Sequence, residues 1–180
     1  MKNLFLTYLI LNSFFCLAQE RNLILTEKEN ELWFESLKGN IDHSNRIDII
    51  NQRLKSDINV YINWTFPDGI KIKNISKLDS LRKSRIEGFC KPLFILKYKS
   101  KQIAFRFENP INGNKTDSVA ILLNSDNIKN INIWTDDRKL IYGTSGNCGI
   151  IFLETSKRKV FSEIEKLKLT NNYMDEIMSY

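Results

Sequence analysis

The chain has 180 residues, 42% of them hydrophobic and 27% charged, with only seven glycines and three prolines. That balance excludes a disordered or low-complexity chain and fits an ordered domain with a sizeable core. The formal charge is +6, but basic residues are scattered among acids in EKEN, DDRK and SEIEKLK. No concentrated basic stripe points to a nucleic-acid partner, and none is expected.

Residues 1–18 read as an export signal. Lys2 supplies the positive end, Leu4 to Leu17 is largely apolar, and Ala18 is the small residue expected before cleavage at Ala18 and Gln19. The apolar run is too short, and too soon followed by Glu20 and Arg21, for a comfortable membrane span. A lipid anchor on Cys16 is the alternative, disfavoured by bulky Phe15 just before it. The expected address is the periplasm, the outer membrane or the medium, and no span is expected in the mature chain.

Residues 19–75 are expected to form an N-terminal helical region with a short hairpin. Thr26 to Leu37 predicts a helix, with Thr26 as cap, Glu29 three residues on, and Leu32, Trp33 and Leu37 as its apolar side; Gly39 and Asn40 end it. His43 falls in a polar link and is expected at the surface. Ile47, Ile50 and Leu54 predict a second helix over Arg46 to Lys55. Asn59 to Phe66 alternates as a strand, and Pro67-Asp68-Gly69 is expected to turn it into a hairpin with Ile70 to Ile75.

Residues 76–180 are expected to form an α+β unit with a small mixed sheet, short helices and a C-terminal helix. Ile75 to Arg85 reads ambiguously, with a helix favoured. Pro92 opens a strand, LFILKY, which turns at Lys99 to Lys101 into QIAFRF. Residues 109–118 read as a loop. After apolar Val119 to Leu123, a capped turn at Asn124 to Ile128 leads to a strand over Lys129 to Trp134. Asp136 to Ile141 predicts one or two helical turns capped by Thr135 or Asp136. Gly143, Gly146 and Gly149 then permit a tight crossing before the strand IIFLET. Lys159 to Leu167 carries Val160, Ile164 and Leu167 on one helical face, and the tail frays or packs as a last short helix.

Outside the signal segment the cysteines are Cys90 and Cys148, each just before an expected strand. In an oxidising compartment they could pair and pin two neighbouring strands; closing a loop of about 59 residues is worth roughly 4 kcal/mol on the chain-entropy model. Buried thiols that never pair are the other reading.

Catalytic arrangements are sparse. One histidine, His43, supports neither a metal cluster nor a nucleophile relay. Adjacent Asp136 and Asp137 are explained by helix capping. GTSGNCG lacks the Lys followed by Ser or Thr that ends a phosphate loop and precedes a strand. Trp33, Trp64 and Trp134 are too dispersed to suggest a stacking platform and read as packing residues. No catalytic residue, cofactor or metal is expected.

The segment NSDNIKNINIWTDDRKLIYGTSGNCGIIFLETSK resembles the end of the plug domain of TonB-dependent outer-membrane receptors, especially the long Bacteroidetes type. The first strand of that pattern is matched by Ile128, Ile131 and Ile133. Tyr142, Gly143, Gly146 and Gly149 match the crossing, and Ile150, Ile151, Leu153, Thr155 and Lys157 the returning strand. PLFIL at 92–96 resembles an earlier strand of the family, with Lys97 and Tyr98 in place of its Asp and Gly. The likeness is sharp over residues 122–157 and weaker from 90. It implies a plug-like fold whose two strands are sheet neighbours. A receptor's barrel of many long strands is not implied by a chain of this length. The expected function is therefore a non-enzymatic exported plug-like domain that binds an envelope protein or serves a structural role, through a strand edge or the loop at 109–118. The alternative is an envelope protein of inhibitor or stress-response type, binding a small ligand or peptide between the N-terminal helices and the sheet.

Overall fold

A computed structural model describes residues 23–62, 71–72, 85–106, 113–169 and 178–179. The export segment, Trp64, the Pro67-Asp68-Gly69 turn and most of the ambiguous stretch 75–85 lie outside the described residues. The architecture is α+β, with helices packed on a small mixed sheet.

Helix α1 (Glu27–Lys38) begins with a reciprocal cap. The Glu29 backbone N–H donates to Thr26 Oγ1, and Glu29 Oε2 accepts from the Thr26 and Leu25 N–H groups, both at 2.9 Å. Its buried side differs from the expected one. Asn30, Phe34 and Leu37 face inward at helical spacing, while Leu32 is 60% exposed and Trp33 only partly buried. Three apolar side chains in sequence cannot share one helical face, and packing selected the stripe containing Phe34.

Helix α2 (His43–Ser56) starts earlier than its apolar period. Asp42 caps it by accepting from the Asn45 N–H at 2.9 Å, and Ile47, Ile50, Arg53 and Leu54 are buried. His43 is half-buried, with Nε2 2.7 Å from the Ile128 carbonyl oxygen, so it ties α2 to the chain entering the sheet.

Of the expected hairpin, residues 63–70 and 73–75 lie outside the described residues. Strand β1 (Val60–Ile62) pairs in parallel with β3 (Ile86–Gly88), whereas β2 (Lys71–Ile72) pairs antiparallel with β8 (Met178–Ser179). Gly88 allows the first pairing: a Cβ there would run into the Val60 side chain. Part of the tail is thus a strand rather than a helix.

The main sheet comprises β4 (Leu93–Tyr98), β5 (Lys101–Phe105), β6 (Asn130–Trp134) and β7 (Ile150–Glu154), ordered β5-β4-β7-β6. The β4–β5 and β6–β7 pairs are antiparallel, and β4–β7 is parallel. The strands flanking the glycine-rich crossing are therefore neighbours, with Ile131 opposite Leu153 and Ile133 opposite Ile151. The continuous apolar run of β4 has a direct cause. Phe94 and Leu96 join the main core beneath the helices, while Leu93 and Ile95 join a second cluster with Ile150, Trp134, Tyr142 and Phe152 on the other face. Burying each large side chain contributes roughly 1.5–3 kcal/mol.

A further correction concerns the expected loop at 109–118. Gly113–Leu122 forms helix α3, with Thr116, Val119, Ala120 and Leu123 buried at spacings of three and four. Thr116 disguised the period as polar, and contacts with α2 stabilise a helix that GNKTDS alone would not specify. Helix α4 (Arg158–Lys166) buries Val160, Phe161 and Ile164. The main core draws on Phe34 and Leu37 as well as the sheet, so the N-terminal helices and the segment after residue 76 share one apolar interior. Among the described residues no helix is long and apolar enough to cross a membrane.

Candidate functional site

The crossing between β6 and β7 folds back in short steps. Asp136 caps a 3-10 segment, Asp137–Gly146, by accepting from the Arg138 N–H. Arg138 also clasps the Asp136 carboxylate, at 2.7 Å from Nη2, and this hydrogen bonding holds Asp136 down to about 2. The two aspartates thus start a helical segment, as capping predicts. Gly143 and Gly149 both have positive φ, 56° and 90°. At Gly149 a Cβ would also strike the Phe34 ring, so this glycine lets α1 lie directly on the crossing. Gly146 is buried against the Lys139 carbonyl.

That approach leaves a cavity of about 330 Å³ between α1 and the crossing. Glu27, Asn30, Glu31, Phe34 and Glu35 line its helical side; Thr135, Lys139, Asn147, Cys148 and Gly149 line the other, with Phe89 between them. Phe34 is buried and Phe89 is 49% exposed. Glu27, Glu31 and Glu35 recur every four residues, placing three carboxylates along one side.

Cys90 and Cys148 come together beside this cavity, within reach of a disulfide. Cys90 is buried and Cys148 half-buried. The neighbouring Cys148, and then burial, push the Cys90 thiol above the ordinary range. Cys148 is lowered, first by the neighbouring Cys90 and then by Arg106, the Lys91 backbone N–H and Arg53, with burial pulling the other way.

Beneath the pair lies a buried polar network. Arg53, 2% exposed, donates from Nε to Asp57 Oδ1 at 2.7 Å, from Nη1 to Asn30 Oδ1 at 3.3 Å and from Nη2 to the Cys90 carbonyl at 3.0 Å. Asn30 in turn donates to the Cys148 carbonyl, and Lys91 Nζ donates to the Asp57 carbonyl at 2.6 Å. Burial raises the Asp57 carboxyl, with Arg53 and Lys91 pulling the other way. Arg53 also lies over the Trp33 ring, 5.0 Å from its centre.

Sequence reading brought forward Cys90, Cys148 and the three glycines, and the fold gathers four of these five at the cavity and its support. Gly143 stands apart, with open space where a Cβ would be. The network around Arg53 and the three glutamates were missed. A basic residue at 53 beside buried Ile50 and Leu54, with Asp57 four residues on, was the available signal. Trp134 packs against Phe152 with ring centres 4.3 Å apart and takes no part in the cavity. Among the described residues no group of three or more His, Cys, Asp or Glu is arranged to hold a metal ion. No family model matches the chain, and neither a curated protein nor a solved structure matches it significantly.

Proposed function

We propose that the chain is a non-enzymatic exported binding module of the cell envelope, plug-like in its sheet, which receives a segment of another envelope protein at the cavity between α1 and the crossing. The observation that carries this reading is Phe89, a half-exposed aromatic at a cavity also lined by buried Phe34. An exposed ring at the mouth of a concave, half-polar cavity is a surface that a partner side chain would cover. Glu27 and Glu31 favour a partner segment bearing a basic side chain next to the apolar one, Glu35 being paired with Lys38 at 3.2 Å. The antiparallel pairing of β6 with β7 supports the plug-like part of the reading. The cavity also favours the second reading, a small ligand or peptide in the same place, although about 330 Å³ is at the lower end of ligand-pocket volumes.

A photo-crosslinking residue installed at Phe89 in cells tests the proposal, with exposed Lys166 on α4 as the control position. A discrete crosslinked protein from position 89 alone supports it. Identical patterns from both positions, or none from either, refute it.

A further inference from the structure

We propose that Cys90 and Cys148 are a reversible thiol–disulfide exchange couple, in which Cys148 reacts with thiols or disulfides entering the cavity and Cys90 resolves the mixed disulfide from beneath. This is independent of any protein bound at Phe89.

Three features of the site carry the assignment. The two cysteines are apposed within disulfide reach, each just before one of the parallel neighbours β4 and β7. Their surroundings are unequal: Cys148 lines the cavity and is half-buried, whereas Cys90 is buried and does not line it. Both backbones are held by one network, Arg53 binding the Cys90 carbonyl and Asn30 that of Cys148, so the pair stays apposed whichever redox state it is in. The surroundings of Cys148, its neighbour Cys90 first and then Arg106 and the Lys91 backbone N–H, favour its thiolate, which is the form that attacks. A cross-link serving stability alone has no need of one sulfur open to a cavity.

In the oxidising direction the Cys148 thiolate attacks one sulfur of an incoming disulfide. A bond forms between Cys148 Sγ and that sulfur, and the other half leaves as a thiolate that takes a proton from water. Cys90 then releases its proton to solvent and attacks Cys148 Sγ, expelling the second half as a thiol. The protein dithiol is oxidised by two electrons and the incoming disulfide is reduced to two thiols. In the reverse direction an incoming thiolate attacks Cys148 Sγ and Cys90 is the leaving sulfur.

The test equilibrates the full mature chain in cysteamine–cystamine mixtures of graded ratio, small cationic probes suited to a cavity lined by three glutamates. Acid quenching, alkylation and peptide mass mapping then read each thiol. The expected result is a two-electron transition within the series, with Cys148 alkylated at least about tenfold faster than Cys90 in the native reduced protein. Cys90→Ser is expected to stop at a mixed disulfide with one cysteamine on Cys148. A pair that stays oxidised at every ratio until the protein unfolds is a structural cross-link and overturns the proposal. So does a native pair that reacts at neither sulfur, or at Cys90 as fast as at Cys148. The wild-type titration decides the matter even where a variant fails to fold.

Discussion

Replacing Gly149 by Ala separates two costs that meet at one residue. Its φ of 90° is a conformation L-residues resist, which is worth roughly 1–3 kcal/mol. The added methyl would also enter the Phe34 ring, and overpacking a filled site costs about 1–3 kcal/mol more. The sum is roughly 2–6 kcal/mol, a large part of the stability of a small domain. Gly143→Ala is the internal comparison: φ is 56° and ψ is −144°, but nothing lies within 4 Å of the new carbon, so only the backbone cost of roughly 1–3 kcal/mol applies. Urea unfolding of both variants, each made again in a Phe34→Ala background, isolates the steric part. Gly149→Ala should cost about 1–3 kcal/mol less once the ring is gone, whereas the cost of Gly143→Ala should not change. If Gly149→Ala costs the same with and without the ring, the claim that this glycine exists to admit α1 is wrong.

Three other outcomes follow from the same contacts. Arg53→Met should lower stability by about 3–5 kcal/mol, because it removes the buried pair with Asp57 and leaves the Asn30 and Cys90 acceptors without their donor, and a loss below about 1 kcal/mol in urea unfolding would contradict the network. Asp57 has its folded pKa raised above the unfolded value, so its favourable contribution is complete below the ordinary carboxylate range and is lost as pH rises through the folded pKa. The stability of wild type relative to Asp57→Asn should therefore fall as pH rises above the ordinary carboxylate range, as read from denaturation midpoints at each pH, and a rise would show the opposite sign. Thr26→Ala should cost about 1 kcal/mol through loss of the reciprocal cap, with hydrogen exchange accelerated first in the opening turn of α1; unaltered exchange there would remove the cap's role.

Local chemistry made several elements readable. Thr26 with Glu29 announced the start of α1, and Asp136 the start of the 3-10 segment, because a cap is a bond between residues two or three apart. Alternating Ile131 and Ile133 against Ile151 and Leu153 made β6 and β7 recognisable, with glycines between them to allow the return. By contrast, the helix over Gly113–Leu122 has a buried threonine in its stripe, and its partner α2 lies some 60 residues away, so only packing reveals its period. The strand at Val60–Ile62 was visible, but its parallel partner at Ile86–Gly88 was not, since a parallel pairing needs a distant crossover and leaves no turn signal beside the strand.

The sequence by itself determined the caps at Thr26 and Asp136 and the alternation of β6 and β7, and it marked Cys90, Cys148 and the glycines as residues of consequence. Those properties depend on neighbours a few bonds away. Only the tertiary structure decided that Phe34 rather than Leu32 faces inward, that Arg53 is buried on Asp57, and that Cys148 opens to a cavity while Cys90 lies beneath it. Each of these depends on which surfaces α1, α2 and the crossing present to one another. That choice is made by close packing and by the cost of leaving a buried charge unpaired, and neither acts along the chain.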